Sequence, residues 1–304
     1  MATVQELLDV GVARLRESGS ESARLDAEVL LAHALDTDRT GVLAHTDAPV
    51  GDGSVARYQA ALDRRATGEP VAYIRGFKEF HGLAFAVDDR ALIPRPETER
   101  LVELTELEVV RRLTGAPRPP GSPPIRVIDV GVGSGAVAVT LAFLLRRRGM
   151  AEEIEITATD IADEPVQLAK ENAVAHAVAD RITFLTSDLL PGFDARRWDV
   201  VAANLPYVRT DAIVGLPRAA SFEPVSALDG GADGLRVIGR LLDQLPAALA
   251  DDGVALLEIG GDQGQAMLDL AAERLRGWHC DLEPDLGGLP RVAVLRRSPP
   301  HMPA

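Results

Sequence analysis

Between residues 125 and 260 the chain alternates short runs of β-type residues with segments of helical periodicity, and this alternation constrains its fold more than any other feature. IRVIDVG, IEITATD, ITFLTSD, WDVVAAN and GVALLEIG read as strands, and residues 135–148 and the stretch EPVQLAKENAVAHA as helices. Strands separated by helices of about 10–15 residues predict a parallel sheet covered on both faces, because parallel neighbours can be joined only by a crossover. The closing segment HCDLEPDLGGLPRVAVLRR has the look of two strands joined by a short turn, which adds an antiparallel edge. The expected class is therefore α/β with a mixed sheet.

The first quarter is different. From residue 3 to about 68 apolar residues recur at helical spacing, as in Val4, Leu7 and Leu8, then Leu25, Val29 and Leu30, then Val55, Tyr58 and Leu62. GFKEFHGLAFAVDD then sets Phe77, Phe80, Leu83, Phe85 and Val87 around the turn signal His81-Gly82, a β-hairpin. In ALIPRPETERLVELTELEVVRRL two prolines precede a helix whose first turn is expected to carry Glu97 and Glu99, where acidic groups meet the positive end of the helix dipole. The run GAPRPPGSPP, 115–124, reads as a loop. The expected organisation is a helical domain over 1–72, a hairpin linker over 73–90, an α/β domain over 91–297 and a tail over 298–304.

Composition narrows the function. With 46 acidic against 32 basic residues the formal charge is −14, the wrong overall sign for a protein that binds nucleic acid by displacing counterions. The run RRR at 146–148 is a candidate for a local basic face, though such runs more often form a solvated helix end. A single cysteine, Cys280, excludes an intramolecular disulfide and fits a reducing cytoplasm. The amphipathic start MATVQELLDVGVARLRESG is not a signal peptide, and no apolar run approaches the ~20 residues of a membrane helix. The six histidines lack metal-ligand spacing, so no metal is expected.

VIDVGVGSGAVAV places Gly131, Gly133 and Gly135 directly after a buried strand and before a helix. Glycines there let the backbone turn sharply and approach a ligand whose polar groups meet the helix amides. GVGSGA also satisfies the dinucleotide-binding pattern, so a NAD-dependent oxidoreductase competes with an S-adenosylmethionine enzyme. Asp129, two residues before Gly131, favours the latter: a carboxylate can hold the methionine amino group, directly or through water, and offers nothing to a pyrophosphate. Asp160 ends the second strand and can accept both ribose hydroxyls; Asp188 ends the third and can accept from the adenine amino group. Each alone can cap a helix, but three at successive strand ends lie where such sheets bind ligands.

The fourth strand delivers Asn204, Leu205, Pro206 and Tyr207 to the same edge. An amide nitrogen is a poor methyl acceptor because its lone pair is conjugated, so a site for it must hold both N–H bonds. Asn204 Oδ1 can accept one and the Leu205 carbonyl the other. Pro206 steers Leu205 out of the helical region, and Tyr207 offers a flat face to stack on a planar group. Ordinary β-turn work by Asn and Pro is the competing explanation.

FKEFHGLAFAVDDRALIPRPETERLVE, VIDVGVGSGAVAV, NLPYV and EPVSALDGGADGL, in that order, resemble the N5-glutamine methyltransferases of peptide-chain release factors, the PrmC/HemK family, over nearly the whole chain. The resemblance implies a class I (Rossmann-like) methyltransferase fold with a seven-stranded mixed sheet, a small N-terminal helical domain for substrate recognition and a β-hairpin linker. It implies that the loop Gly131, Val132, Gly133, Ser134 and Gly135, with Asp160, Leu189 and Asn204, contacts S-adenosylmethionine. Asn204 to Tyr207 would then hold the glutamine of a Gly-Gly-Gln motif, with Arg95 and Glu97 nearby, although a helix-start role suits those two equally. The implied partner is a release factor, with no direct nucleic acid, no membrane and a monomeric cytoplasmic enzyme. The family has proline where this chain has Leu205; since the useful atom is a carbonyl, the change is expected to keep the chemistry. NLPY also resembles the motif of ribosomal-RNA adenine dimethylases, against which the acidic charge and IPRPETE speak. A paralogue acting on a ribosomal protein shares the asparagine motif without the PRPETE form. Two further classes stay open: a NAD oxidoreductase, for which no convincing His or Lys acid stands beside the loop, and a catalytically silent binding protein.

Overall fold

The computed structural model describes residues 1–115, 118–119, 121–192 and 197–298. It forms two compact units: Met1–Lys78 together with Leu216–Glu223, and Glu79–Gly215 together with the chain from Pro224 onward.

The first unit is helical, with α1 Val4–Glu17, α2 Ala23–Ala34, α3 Arg39–Ala44, α4 Asp52–Ala66 and α5 Val71–Arg75. Thr3 opens α1 with a capping box: its hydroxyl accepts from the Glu6 amide at 3.3 Å and its own amide donates to the Glu6 carboxylate at 2.9 Å. Leu15, Leu30, Leu31, Tyr58 and Leu62 form the core, and the Arg65–Asp26 pair at 2.8 Å ties α4 to α2. The segment Leu216–Glu223 belongs to this unit although it comes from the other half of the chain; Arg218 lies over Gly68, where a Cβ would sit 2.7 Å from its Cγ. No periodicity in that proline-containing segment announced the association.

The hairpin pairs β1 Phe77–Phe80 with β2 Leu83–Ala86, and the division between the units falls inside β1, after Lys78, whereas the sequence placed the first boundary at residue 72. His81 and Gly82 both have positive φ, 50° and 74°, the type I′ geometry that matches strand twist.

The second unit continues with α6 Thr98–Thr114, β3 Ile125–Val130, α7 Ala136–Arg147, β4 Ile154–Asp160, α8 Asp163–Ala175, β5 Ile182–Thr186, β6 Trp198–Ala203, β7 Val208–Arg209, β8 Asp229–Gly231, α9 Arg236–Ala248, β9 Leu249–Glu258, α10 Gly264–Arg274, β10 Trp278–Pro284 and β11 Pro290–Arg297. Seven strands form one sheet in the order β10-β11-β9-β6-β3-β4-β5, in which β11 alone runs against the other six. This is the expected mixed sheet with its antiparallel edge. From β3 the sheet runs outward through β4 and β5, and from β6 it runs the other way through β9, β11 and β10, so the order reverses between β3 and β6, and the crevice at their carboxyl ends is where an open α/β sheet takes a ligand. β7 and β8 form a separate small sheet beyond that edge.

Two expectations shift by a residue or more. α6 begins at Thr98, which leaves Glu97 at the cap and only Glu99 in the first turn. β9 starts at Leu249 rather than 253 because it pairs with β6 from Trp198 onward across a register shift. The arginines at 146–148 are engaged locally: Arg146 with the Ala177 carbonyl, Arg147 over the Phe143 ring and Arg148 with Glu106 at 2.7 Å. Residues 116, 117 and 120 of the Pro/Gly-rich stretch and 299–304 of the tail lie outside the described residues. No helix among the described residues is long and apolar enough to cross a membrane.

Candidate active site

The glycine loop leaves β3 with Gly131, Gly133 and Gly135 at φ of 81°, 52° and 86°, a region that L side chains avoid. Space demands glycine as well: a Cβ on Gly131 would meet Leu205 Cδ2 at 3.1 Å, and one on Gly135 would meet Ala169 at 3.2 Å. The amides of Gly131 and Val132 both donate to the Thr159 carbonyl at 2.8 Å, docking the loop on β4. Asn172, buried on α8, donates through Nδ2 to the Ser134 carbonyl at 2.8 Å and to the Ala86 carbonyl at 3.1 Å, while its Oδ1 accepts from the Ala86 amide at 2.7 Å. One side chain thus fixes both the glycine loop and the second hairpin strand.

The three aspartates stand at strand ends but in different surroundings. Asp129 is only 3 % exposed, and its carboxylate accepts from the Ala138 amide at 3.0 Å in the first turn of α7. Burial pushes its pKa up to about 7, the Ala138 bond opposing and the Asp160 charge adding. This carboxylate supports the helix start from beneath the loop. Asp160 accepts from the Gly133 amide at 3.0 Å, and burial raises its pKa against the bonds from the Gly133, Ala162 and Ile161 amides. Asp188 lies beyond β5, exposed, in a 2.5 Å ion pair with Arg240. The chain at this edge is held instead by Leu189, buried at φ 66°, whose carbonyl accepts from the Thr159 hydroxyl at 3.0 Å, and by the Ser187 amide, which donates to the Asp160 carbonyl at 2.8 Å. Ile161, 63 % exposed next to Asp160, is an apolar face on this edge that pattern reading missed.

Asn204 follows the last residue of β6, and its Nδ2 donates to Thr98 Oγ1 at 3.0 Å. Leu205 is buried against Gly131, which joins the asparagine turn to the glycine loop. The Tyr207 hydroxyl donates to Glu258 Oε1 at 3.2 Å, and its carbonyl accepts from Gln263 Nε2 at 2.9 Å. Gln263 Oε1 in turn accepts from the Gly260 amide at 2.8 Å. Two glycines of EPVSALDGGADGL close over the same turn: a Cβ on Gly230 would come within 2.8 Å of the Pro206 carbonyl oxygen, and one on Gly234 within 2.4 Å of that of Tyr207. Burial and the Glu258 charge push the Tyr207 phenol well above its usual pKa.

Glu258 ends β9 with no exposed surface. Burial pushes its pKa up to about 7, with Thr98, Tyr207 and Arg291 pulling down and Glu97 pushing up. Glu97 therefore stands near the turn, and Arg95 is half-buried in the segment leading to α6. That segment starts beside the glycine loop, with Ala91 Cβ 4.0 Å from where a Gly133 Cβ would be, and ends at Thr98 against Asn204. Thr98, Glu258, Gln263, Gly230 and Gly234 were not singled out from sequence; the available signal was a carboxylate inside the apolar run VALLEIG.

The structure so brings together the glycine loop, Asp160, Leu189 and the turn Asn204–Tyr207 at the carboxyl ends of β3, β4 and β6, while Asp188, next to Leu189, pairs with Arg240. Among the described residues no three His, Cys, Asp or Glu side chains are grouped to hold a metal ion. A 530 Å³ cavity lined by Arg111, Arg112, Arg118, Arg197, Asp199 and Asp252 contains none of these residues.

Comparison with known proteins adds independent findings. Residues 6–76 match the PrmC N-terminal domain family and residues 121–216 the methyltransferase small domain family. The chain is 39 % identical to the release factor glutamine methyltransferase of Moorella thermoacetica, over 88 % of this chain and 89 % of that one. It is 32 % identical to the protein of the same name from Bacillus subtilis, over 96 % and 97 %. Among solved structures the hMettl16 catalytic domain superposes with a TM-score of 0.55 at 13 % identity, covering 86 % of this chain and 85 % of that one, a likeness of fold.

Proposed function

The chain belongs to the release factor glutamine methyltransferase family, and from that premise we propose that it transfers a methyl group from S-adenosylmethionine to the side-chain amide nitrogen of the Gly-Gly-Gln glutamine of a peptide-chain release factor. The observation that carries the reading is the polarity of Asn204. Its Nδ2 is committed to Thr98, which leaves Oδ1 to accept a hydrogen bond from an incoming amide.

The residues present fit the cofactor. The backbone of Gly131 to Gly135 turns through three left-handed positions that only glycine adopts cheaply, with the α7 amides behind it. Asp160 supplies a carboxylate for the ribose hydroxyls, and Leu189 and exposed Ile161 supply backbone and apolar surface for the base. When bound, S-adenosylmethionine supplies an activated methyl group on a sulfonium.

The chain's own part is positioning. Asn204 Oδ1 and the Leu205 carbonyl hold the two amide protons of the substrate glutamine, and Pro206 keeps that carbonyl aimed. Tyr207 stacks on the amide plane, its ring fixed by Glu258 and its backbone by Gln263. Two fixed acceptors stabilise the amide as its nitrogen becomes cationic, so the proton leaves afterwards and no strong base is required.

The helical domain, 1–72, recognises the body of the protein substrate, a task that a free glutamine would not require, and the hairpin, 73–90, links it to the catalytic domain, 91–297. The enzyme acts as a monomer in the cytoplasm, where its substrate works, without binding nucleic acid directly. The test is mass spectrometry of candidate release factors after incubation with the protein and S-adenosylmethionine. One added methyl on the Gly-Gly-Gln glutamine is the expected result, and unmodified factors would refute the reading.

A further inference from the structure

The β1–β2 sheet has two strands, and at the edge of β2 backbone groups face α8 instead of a third strand. Such an edge leaves donors and acceptors to be satisfied by other means. Two side chains at the end of α8 do so here. His176 donates through Nε2 to the Ala84 carbonyl at 2.8 Å, and Asn172 exchanges two bonds with Ala86 as a paired strand would, Oδ1 accepting from its amide at 2.7 Å and Nδ2 donating to its carbonyl at 3.1 Å.

The second N–H of Asn172 Nδ2 goes to the Ser134 carbonyl at 2.8 Å. The Ser134–Gly135 peptide is thereby held from both ends, because the Gly135 amide donates to the Val132 carbonyl at 2.8 Å. This is the peptide that enters Gly135, where φ of 86° turns the glycine loop into α7. Ala169, one turn before Asn172, has its Cα 3.2 Å from where a Gly135 Cβ would sit, so one face of α8 both packs on the loop and bonds to it. Asn172 is 1 % exposed and can satisfy all three partners in one orientation alone: a flipped amide would set NH₂ against the Ala86 amide and oxygen against two carbonyls. Arg90 joins the same elements nearer the surface, pairing with Glu171 at 2.8 Å and Asp88 at 2.7 Å, and half-exposed ion pairs of that kind contribute little.

Resting on the assignment of the glycine loop to S-adenosylmethionine, we propose that Asn172 is a positioning residue that couples the cofactor loop to the second hairpin strand. Occupation of the loop is then felt at Ala86, and loss of the amide is felt in cofactor affinity, since coupling between two places in a fold acts in both directions. Asn172 touches neither cofactor nor substrate in this scheme.

The test combines calorimetric titration with S-adenosylmethionine and hydrogen–deuterium exchange of the β2 peptide, with and without saturating cofactor, on full-length proteins. In the wild type the cofactor should slow exchange in β2. Asn172→Leu, of similar volume, should weaken cofactor binding by ~5–50-fold, the effect of losing buried hydrogen bonds, and should abolish the cofactor-dependent protection of β2. Asn172→Asp, which keeps an acceptor for the Ala86 amide but neither donor, should do the same. His176→Leu removes a bond to the same strand edge without touching the loop; it should speed exchange in β2 and leave cofactor affinity within about 2-fold. A purely structural asparagine predicts otherwise: an Asn172→Leu protein of lower thermal stability whose cofactor affinity and cofactor-dependent protection match the wild type would overturn the proposal. If that variant does not fold, the wild type alone decides, because a glycine loop protected by cofactor beside a β2 that is not refutes the coupling. A wild type that binds no S-adenosylmethionine refutes the cofactor reading beneath it.

Discussion

Gln263, at the start of α10, donates through Nε2 to the carbonyl of Tyr207 at 2.9 Å and so anchors the asparagine turn from a residue 56 positions away in the chain. Gly234 lies across the same carbonyl, where a Cβ would approach to 2.4 Å. A methyl group there cannot be absorbed by a flexible neighbour, because the obstacle is backbone, and φ at this glycine is 75°. Gly234→Ala should cost ~1–3 kcal/mol of stability through strain and overpacking and lower kcat through displacement of Tyr207. Gln263→Leu should lower kcat with little loss of stability, since a similar volume is kept. Thermal unfolding and methylation rates together check the pair; equal stability and equal rates for Gly234→Ala would show that the turn is not held there.

At the cofactor edge Asp160 and Asp188 should separate. Asp160 takes the Gly133 amide and faces the ligand edge, so Asp160→Ala should weaken S-adenosylmethionine binding by ~1.5–3 kcal/mol, the usual loss for a hydrogen bond to a charged group. Asp188 is exposed and spends its charge on Arg240, a surface pair of the kind worth ~0–1 kcal/mol, so Asp188→Ala should change cofactor affinity by less than about 5-fold. Calorimetric titration of the two variants decides the matter: equal losses would show that Asp188 holds the adenine.

Much of this site is legible in the sequence because it is local. The glycine loop, the strand-end aspartates and Asn204–Tyr207 are short stretches whose geometry follows from a strand, a turn and glycine or proline at fixed offsets. What escaped notice is long-range. Thr98 meets Asn204 across 106 positions and Tyr207 meets Glu258 across 51, and no periodicity links them. Asp188 reads as a partner for the adenine because it ends a strand as Asp160 does; only the fold brings Arg240, 52 positions away, to pair with it. Asn172 reads as one more polar residue of α8 until its amide is seen between the hairpin and the glycine loop.

Stability should fall as pH rises from about 4.5 to about 7, against the ordinary behaviour of surface carboxylates. Burial holds Glu258 and Asp129 up at about 7, above their values in an unfolded chain. In that window the folded protein keeps protons that the unfolded chain has released, so the stability these groups contribute below their unfolded pKa is lost as pH climbs through the folded one. The loss is on the order of a few kcal/mol in total. Denaturant unfolding at about pH 5 and about pH 8 measures it, and Glu258→Gln should reduce the difference by raising stability at the higher pH. A variant less stable than wild type at both values would contradict the direction assigned to Glu258.

The asparagine turn gives the sharpest test of mechanism. If Asn204 Oδ1 and the Leu205 carbonyl clamp the substrate amide, Asn204→Ala removes one preorganised hydrogen bond and should cut kcat by ~10²–10³. Asn204→Asp keeps an acceptor but loses the Nδ2 donor to Thr98 and adds a charge beside the buried Glu258, so it should also be slow, with its deficit growing as pH rises. Leu205→Pro has the opposite expectation. Leu205 contributes its carbonyl to the clamp and its Cδ2 to the contact with Gly131; proline keeps the first, gives up part of the second and restores the residue found in the family. Its kcat should stay within about 3-fold of wild type, with a small stability loss from the missing methyl contact. Methylation kinetics on a release factor distinguish the alternatives: an inactive Leu205→Pro beside an active Asn204→Ala would mean that the segment is a structural turn and that the amide is held elsewhere.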